Sequence, residues 1–356
     1  MNILVYLGHP AQYHFFKNIV KNLQKKNQVR YLIKTKEVLE PLLIGDKVEY
    51  KNILPEGRKS TKTGVIWGLI KREINVLGEA IRFKPDLMLG TDPSVAHVGK
   101  LLRIPTFTVL EDDVHVIYDL AKITFPFSTH IIAPESCDCG KWNSKKISYA
   151  GYMKLAYLHP NHFKCTSPGY QKTALIRLSN LDAFHDTGIK GFDESLVKQI
   201  IKRLAGDFKI LLSSEKPMGP FFNEYMLKIN PNDIHRVLCR VSVLISDSQS
   251  MTMEAAMLGI PSIRYSDFAR RIGVLEELEN KYQLTIGIKP GNPEKLSQTL
   301  ENLLSIPDLQ EEFQKRREKM LGDKIDVTRF FTWLIEDYPE SVRIMRENPD
   351  YQYNFR

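Results

Sequence analysis

The residues best suited to chemistry in this sequence lie in one short segment, residues 246–256. It reads Ser-Asp-Ser-Gln-Ser-Met-Thr-Met-Glu-Ala-Ala and directly follows the largely apolar residues 241–245. That order predicts a strand, a short loop and a helix, which brings hydroxyl side chains and backbone N–H groups to a helix N-terminus. Such a terminus can hold an anion such as a diphosphate without a metal, because the N–H groups donate and the helix dipole is positive there.

The residues of this loop and helix suggest which part of a ligand each of them would contact. The residues expected to surround the phosphates are Ser248, Gln249, Ser250, Met251 and Thr252. Glu254 comes about one turn into the helix, where it can reach a sugar hydroxyl. The alternative is a serine-capped helix whose Glu254 is solvated or completes a capping box.

Polar residues at other predicted strand ends extend this anion site. Arg177 and Ser213 end two strands of the same half of the chain, and Arg264 lies in the strand that follows the loop helix. Arginine suits a phosphate better than lysine because its planar guanidinium can donate two parallel hydrogen bonds. We therefore expect these three residues to join the phosphate site, although either arginine could instead pair with a carboxylate.

Candidates for acid–base chemistry lie in the first half of the chain. His14 falls near the start of a predicted helix and could act as a base near neutral pH. Asp92 follows a predicted strand, and Glu111 and Asp112 follow the next one. Adjacent carboxylates repel one another unless cations or hydrogen-bond donors offset the charge, which favours a site role for at least one. Helix capping by Asp92 or Asp113 is the structural alternative.

Strands and helices alternate twice along the chain, which predicts an α/β fold with parallel sheets. The apolar residues 3–7 and 174–178 begin the two halves, and the polar residues 157–171 read as a linker. We expect an N-terminal Rossmann-like acceptor domain at 1–157, a C-terminal Rossmann-like nucleotide-sugar domain at 158–325 and a helical tail at 326–356 with a mobile end. Ligands bind at the carboxyl ends of parallel strands, so an interdomain cleft is expected. Neither half carries the Gly-x-Gly-x-x-Gly turn of dinucleotide enzymes.

The composition narrows the choice of partners. The 356 residues include 50 Lys plus Arg and 42 Asp plus Glu, for a net charge of +8. The basic residues are dispersed and no nucleic-acid motif accompanies them, so nucleic acid is not expected as a partner. A basic surface suits anionic small molecules or an anionic membrane face. The lack of a membrane-spanning apolar run or a signal peptide predicts a cytoplasmic protein with possible peripheral membrane contact.

The four cysteines carry a separate expectation. They are Cys137, Cys139, Cys165 and Cys239. Reduced thiols are the norm in a cytoplasmic protein, so no disulfide is expected. Cys137 and Cys139 resemble half of a metal site, but no second pair follows at ligand spacing. We therefore expect no metal.

Several longer motifs resemble a known family. They are residues 9–11 and 14–18, 84–86, 151–160, 183–186, and 247–261. Together they resemble the domain-of-unknown-function family numbered 354, from residue 1 to about residue 290. That family is similar to GT-B enzymes, which include nucleotide-sugar glycosyltransferases and UDP-N-acetylglucosamine 2-epimerases. The epimerases carry an acid in the fourth-strand loop and a Glu in the fifth, which Asp92 and Glu111 match. Their Asp-Ser-Gly-Gly loop differs here, because Gln249 and Ser250 replace the glycines that allow close backbone approach to phosphate.

The resemblance implies a metal-independent GT-B glycosyltransferase. It would transfer a sugar from a nucleotide sugar, expected to be UDP-linked, to a glycan or lipid-linked acceptor in surface polysaccharide biosynthesis. His14, or an acid among Asp92, Glu111 and Asp112, would deprotonate the acceptor, and no cofactor is expected beyond the nucleotide-sugar substrate. Two alternatives stay open: an epimerase using Asp92 and Glu111 as acid and base, and a noncatalytic sugar-nucleotide-binding protein.

Overall fold

The computed structural model describes residues 1–36, 38–56, 62–165, 172–179, 191–267, 269 and 271–356. Contacts divide the chain into two compact units. Unit 1 comprises Met1–Tyr157 and Lys324–Arg356, and unit 2 comprises Leu158–Asp323. Each unit has a parallel sheet with helices, so the predicted α/β class with two Rossmann-like halves is confirmed. The motif at residues 183–186 lies outside the described residues.

Unit 1 is built on a seven-stranded parallel sheet of order β3-β2-β1-β4-β5-β6-β7. Its central strand β1 is almost wholly apolar, and Ile3 to Leu7 are fully buried, as expected for a strand covered on both faces. The strands are β1 Asn2–Leu7, β2 Gln28–Lys34, β3 Tyr50–Leu54, β4 Leu87–Gly90, β5 Thr106–Val109, β6 His130–Pro134 and β7 Lys146–Tyr149.

The helices of unit 1 come from both ends of the chain. They are α1 Pro10–Leu23, α2 Leu39–Gly45, α3 Lys62–Phe83, α4 Pro93–Leu102, α5 Tyr118–Thr124, α6 Leu155–Leu158 at the boundary, and then α13 Val327–Glu336 and α14 Glu340–Glu347. Three of them begin at a capping side chain: His9 caps α1, Asp92 caps α4 and Asp326 caps α13. Such caps fix where each helix starts relative to the strand before it.

Unit 2 contains a five-stranded parallel sheet of order β12-β11-β10-β8-β9. Its strands are β8 Thr173–Leu178, β9 Lys209–Ser214, β10 Val243–Ser246, β11 Ser262–Tyr265 and β12 Ile286–Ile288. Its helices are α7 Glu194–Leu204, α8 Ile234–Leu238, α9 Gln249–Leu258, α10 Gly273–Glu276, α11 Pro293–Leu304 and α12 Leu309–Asp323. A π-helical turn, Glu277–Lys281, continues directly from α10.

Two of the sequence expectations fail at the edges of the molecule. The short strands β3, β7 and β12 were not predicted. All three are edge strands of three to five residues, and β3 and β7 mix polar and apolar types. The C-terminal end is ordered instead of mobile, because Pro349–Phe355 forms a 3-10 helix that buries Gln352. The Gln352 amide accepts from Ala150 N–H and donates to Glu135, which fastens the end to unit 1. Among the described residues, no helix is long and apolar enough to cross a membrane.

The expectation of four reduced cysteines is also wrong. Cys165 and Cys239 form a disulfide across 74 residues of unit 2, whereas Cys137 and Cys139 are free and buried in unit 1. The sequence order hides this pairing, because Cys165 precedes the first strand of unit 2 and Cys239 directly follows α8. Folding alone brings the two together.

This disulfide predicts a redox-dependent stability. Replacing both residues, Cys165→Ser with Cys239→Ser, should lower the free energy of unfolding by about 4 kcal/mol, the loop-closure estimate for a loop of this length. Urea unfolding with and without dithiothreitol measures the effect. The double variant is its own control, since reductant should no longer shift its unfolding. Reaction of all four thiols with a thiol reagent in urea, before any reduction, would contradict the pairing.

Candidate functional site

The turn between β10 and α9 in unit 2 has the strand–loop–helix geometry that the sequence predicts. Ser248 is the N-cap, and its Oγ accepts from Met251 N–H at 3.3 Å. The Thr252 hydroxyl donates to the Ser248 carbonyl at 2.8 Å. Neither backbone N–H of Gln249 nor that of Ser250 has an acceptor within the described part of the chain. These two donors, in partly exposed residues, are placed for an anionic ligand.

A row of polar residues crosses the sheet beside this turn. Residues in register on neighbouring parallel strands point to the same face. The row, read along the sheet order from β12 to β9, is Gly287, Arg264, Ser246, Arg177 and Ser213. Both predicted arginines therefore flank the strand that leads into the Ser248 cap. The structure brings Arg177, Ser213 and Arg264 to one face and one level of the sheet.

Arg264 is the most unusual member of this row. Its side chain is fully buried, and none of its three guanidinium nitrogens has a hydrogen-bond partner among the described residues. Burial lowers the pKa of Arg264, while the nearby carboxylates of Glu279 and Glu276 act in the opposite direction. Gly287 makes room for this arrangement: a Cβ there would lie 2.7 Å from a Glu279 oxygen and 3.2 Å from Nη2 of Arg264.

Arg177 has partners. Its Nη1 donates to Ser213 Oγ at 2.8 Å, and its Nη2 forms an ion pair with Glu215 just beyond the end of β9. The sequence left open whether either arginine would pair with a carboxylate, and Arg177 does. Its Nε is buried and has no hydrogen-bond partner in the part of the chain that the structure describes.

The loops after β8 and β10 are joined through Asp247. Its carboxylate accepts from the N–H of Ser179 at 2.7 Å and from the Ser179 hydroxyl at 2.9 Å. Burial raises the pKa of Asp247, while the hydrogen bonds from Ser179 act in the opposite direction. Asp247 thus fixes the entry to α9.

Glu254 lies inside α9 and is almost fully buried. Its Oε1 lies 3.2 Å from Nε2 of His235, a buried residue on α8. The His235 ring also packs edge-on against Phe163, at 6.2 Å between ring centroids. Glu254 is therefore neither solvated nor a capping-box residue. It stands beside a histidine that sequence reasoning missed.

In unit 1, Asp92 has the structural role that was weighed as an alternative. It caps α4 by accepting from Ser94 N–H at 3.1 Å and from the Ser94 hydroxyl at 2.7 Å. It also forms an ion pair at 3.1 Å with Arg72 of α3, and both side chains are nearly buried. Nη1 of Arg72 is buried, and no described residue forms a hydrogen bond with it. The Asp92 carboxylate is thus held from two sides.

Glu111 is held in a similar way. It accepts from Met153 N–H at 3.0 Å and forms a buried ion pair with Lys154. The neighbouring acids differ: Asp113 is buried and accepts from Asp138 N–H at 2.7 Å, whereas Asp112 is partly exposed. Hence the carboxylates of Glu111 and Asp113 have different partners.

His14 lies in the second turn of α1 and is partly exposed. Its ring is 5.3 Å from that of Tyr157 and 5.9 Å from that of Tyr13, between centroids. The loop before α1 is joined to the loop of Asp92, because Gln12 accepts from Gly8 N–H and donates to the Thr91 hydroxyl. The loop before α1, the helix that carries His14, is therefore coupled to the loop of Asp92 at the carboxyl ends of the neighbouring strands β1 and β4.

The residues that sequence reasoning missed are those that partner a predicted one. Arg72 and Lys154 neutralise Asp92 and Glu111, and His235 contacts Glu254. Each is distant in sequence from its partner, so no local motif indicates the pairing. Within the described residues, no group of three or more His, Cys, Asp and Glu side chains could hold a metal ion.

Comparisons with known proteins identify the fold. No family model matches the chain and no curated protein matches it by sequence, so membership of family 354 stays a prediction. A putative UDP-N-acetylglucosamine 2-epimerase from Listeria monocytogenes superposes with a TM-score of 0.69 at 12% identity, covering 96% of this chain and 97% of that one.

Two further solved structures agree. The UDP-GlcNAc 2-epimerase of Methanocaldococcus jannaschii, in complex with UDP-GlcNAc and UDP, gives a TM-score of 0.62 at 14% identity, covering 90% of this chain and 99% of that one. A spinosyn forosaminyltransferase gives a TM-score of 0.62 at 12% identity, covering 96% and 99%. The chain therefore has the GT-B-like fold that these epimerases and transferases share.

The buried Glu111–Lys154 pair makes a testable prediction about unit 1. Lys154→Met leaves the Glu111 carboxylate buried without its cation, so the free energy of unfolding should fall by about 3–5 kcal/mol. Adding Glu111→Leu should restore much of that loss, because the unpaired charge is removed. Urea unfolding of the single and double variants measures both.

The exposed pair Arg203–Glu301 provides the matched control. Arg203→Met should change the free energy of unfolding by less than about 1 kcal/mol, as is usual for surface ion pairs. Equal effects of Lys154→Met and Arg203→Met would show that Glu111 does not depend on Lys154.

Proposed function

We propose that the protein is a metal-independent glycosyltransferase that takes a sugar from a UDP-linked donor. The acceptor would be a glycan or lipid-linked glycan of surface polysaccharide biosynthesis. UDP is favoured because the M. jannaschii structure and an S. aureus structure of the same fold were solved with UDP bound. The donor half-site would lie in unit 2, at the start of α9.

The observation that carries this proposal is the buried, unpartnered guanidinium of Arg264. An unpaired buried charge is costly, so its retention favours a role in binding an anion. It is paired in register with Ser246, which lies two residues before the Ser248 cap of α9. A cation and helix N–H donors at the same end of the sheet suit a diphosphate.

The same groups explain how transfer would be accelerated. Negative charge develops on the nucleoside diphosphate as the bond to the sugar breaks. Donors that are already oriented stabilise this charge without reorganising. Helix N–H groups and arginine would replace the divalent ion that other transferases use for this purpose. Glu254 would contact the ribose, with its carboxylate oriented by His235.

The donor site predicts that Arg264 serves binding at the expense of stability. Arg264→Met should weaken binding of UDP roughly ten- to hundredfold, the contribution expected of one or two charge-assisted hydrogen bonds. The free energy of unfolding of the ligand-free variant should not fall, because an unpaired buried charge is removed. Calorimetry with UDP and urea unfolding measure the two quantities.

Arg317 is the matched control, since it is also largely buried but donates to the Met257 carbonyl at 2.6 Å. Arg317→Met should lower stability and leave UDP affinity near wild type. Inorganic pyrophosphate separates the roles within the site: Glu254→Ala should weaken UDP but not pyrophosphate, whereas Arg264→Met should weaken both. Unchanged UDP affinity in both site variants would exclude this donor site.

A second candidate function is epimerisation of the donor sugar. Asp92 and Glu111 follow the adjacent parallel strands β4 and β5, where two carboxylates could serve as acid and base around one sugar carbon. Their ion pairs with Arg72 and Lys154 favour the transferase, because each carboxylate is already held as a charged partner of a buried cation. A noncatalytic nucleotide-sugar-binding protein is the third possibility.

One set of variants separates these functions. For a transferase, His14→Ala should lower transfer by roughly 10²- to 10⁴-fold, as general-base removal usually does, with UDP affinity retained. The assay follows release of UDP and the product sugar by mass spectrometry, with EDTA present to test metal independence. His162→Ala, in a partly exposed histidine of unit 2, should be near wild type.

The opposite pattern identifies an epimerase. Near-normal turnover in His14→Ala, with loss of acceptor-independent turnover in Asp92→Asn or Glu111→Gln, would replace the transferase by an epimerase. Thermal unfolding must accompany these two variants, because both carboxylates hold structural partners. Binding of UDP-sugars without turnover in any condition would leave the noncatalytic function.

A further inference from the structure

The exposed apolar side chains of this protein are concentrated on one part of unit 1. Fourteen large hydrophobic side chains are exposed among the described residues, and nine of them lie on α3, α4, α5 or just after α5. The nine, here called the α3–α5 patch, are Trp67, Ile70, Ile74, Ile81, Leu101, Tyr118, Leu120, Ile123 and Phe127. Scattered exposed apolar residues need no explanation, but a contiguous group marks an interaction surface.

On α3 the exposed residues form a narrow stripe. At 3.6 residues per turn, Trp67, Ile70, Ile74 and Ile81 fall within an arc of roughly 60°. Trp67 is 66% exposed and Ile74 63% exposed, although the opposite side of the same helix packs its Val76 and Ala80 into the core. The helix is therefore apolar on two faces, and only one of them is needed for folding.

His97 on α4 joins the three helices into one surface. Its Nδ1 lies 2.5 Å from Glu73 of α3, and its Nε2 lies 2.6 Å from the carbonyl oxygen of Ile123 on α5. The ring is also 4.6 Å from that of Phe127, between centroids. Leu101, 68% exposed, is one turn beyond His97 on the same helix. The patch is thus continuous from α3 to Phe127.

Basic residues surround this apolar surface. Lys71, Lys100, Arg103 and Lys122 are exposed on the same three helices or directly after them. The acids nearby are fewer: Glu73 is engaged with His97, Glu56 pairs with Lys71, and Asp119 is exposed. Burial is the main cause that lowers the pKa of Lys145, and the charge of Lys100 lowers it further. These two cations are therefore close together.

We propose that the α3–α5 patch binds the surface of an anionic phospholipid bilayer. Apolar and aromatic side chains with a basic rim match the acyl boundary and the negative headgroups of such a surface. A second copy of the chain fits less well, because a twofold contact would bring the same basic rims together. The inference is independent of the proposed reaction, since membrane binding needs neither donor nor acceptor.

Sedimentation with vesicles tests the proposal directly. The full-length protein should bind vesicles of equimolar phosphatidylcholine and phosphatidylglycerol, and bind phosphatidylcholine alone much more weakly. Ile74→Glu and Leu101→Glu should each weaken binding at least about tenfold, because a charge must then enter the acyl boundary. Ile44→Glu is the matched control: Ile44 is 64% exposed in unit 1 but lies on α2, outside the patch.

The contribution of the basic residues and the insertion of Trp67 into the bilayer are tested separately. Lys100→Gln and Lys122→Gln should each weaken binding roughly fivefold, the usual contribution of one basic residue near an anionic membrane. Lys202→Gln, exposed on α7 of unit 2, should have no effect. Trp67 fluorescence should shift to the blue with anionic vesicles and be quenched by brominated lipid, and Trp67→Leu should remove that response while retaining binding.

Three outcomes would overturn the proposal. They are no sedimentation with anionic vesicles, equal loss of binding in Ile44→Glu and Ile74→Glu, and a dimer in light scattering that Ile74→Glu dissociates. The last would assign the patch to a second copy of the chain. Circular dichroism of every variant establishes that it is folded, which these exposed positions should permit.

Discussion

The buried guanidinium of Arg264 is the interaction that organises unit 2. A fully buried charge without hydrogen-bond partners is unfavourable, and Arg264 has none among the described residues. The nearby carboxylates of Glu279 and Glu276 offset part of the cost of burying its charge. Gly287 on the next strand makes room for this arrangement, because a side chain there would enter the volume that Arg264 and Glu279 occupy. The register of the parallel strands pairs Arg264 with Ser246, two residues before the cap of α9. An anion bound there would supply the hydrogen-bond acceptor that Arg264 lacks among the described residues.

In unit 1, in contrast, the buried carboxylates are paired with cations. Asp92 and Glu111 each have a cation from a distant element, Arg72 and Lys154 respectively. Removing either cation would leave a buried carboxylate, so these pairs fix the loops after β4 and β5. A carboxylate held this way can position a neighbour or bind a hydroxyl. Because both carboxylates already serve as ion-pair partners, the partly exposed His14 is the stronger candidate for a base.

Local sequence patterns predicted most of the fold, and they failed where long-range contacts decide. Apolar runs and caps gave the central strands and the β10–α9 turn, because those signals lie within a few residues. Edge strands such as β3 were not predicted. An edge strand has only one neighbouring strand, and its sequence is partly polar instead of a continuous apolar run. Of each interacting pair in the site, only one residue was predicted: Glu254 but not His235, and Glu111 but not Lys154. The disulfide and the ordered C-terminal end depend on contacts 74 and 202 residues apart in sequence, for which no local pattern exists.

Helix α9 differs sharply between its two ends, and this difference argues for its role. Residues Met251 to Leu258 are all buried, and Gly259 closes the helix in the left-handed conformation, with φ of +68°. The carbonyls at that end are satisfied from α12, where Arg317 donates to Met257 and Gln314 to Leu258. The cation at the C-terminus also favours the helix dipole. Only the N-terminal turn is partly exposed, and there the N–H groups of Gln249 and Ser250 have no acceptor within the described residues. A helix fixed along its length and completed at one end presents its remaining donors in a defined direction, which is what binding a diphosphate without a metal requires.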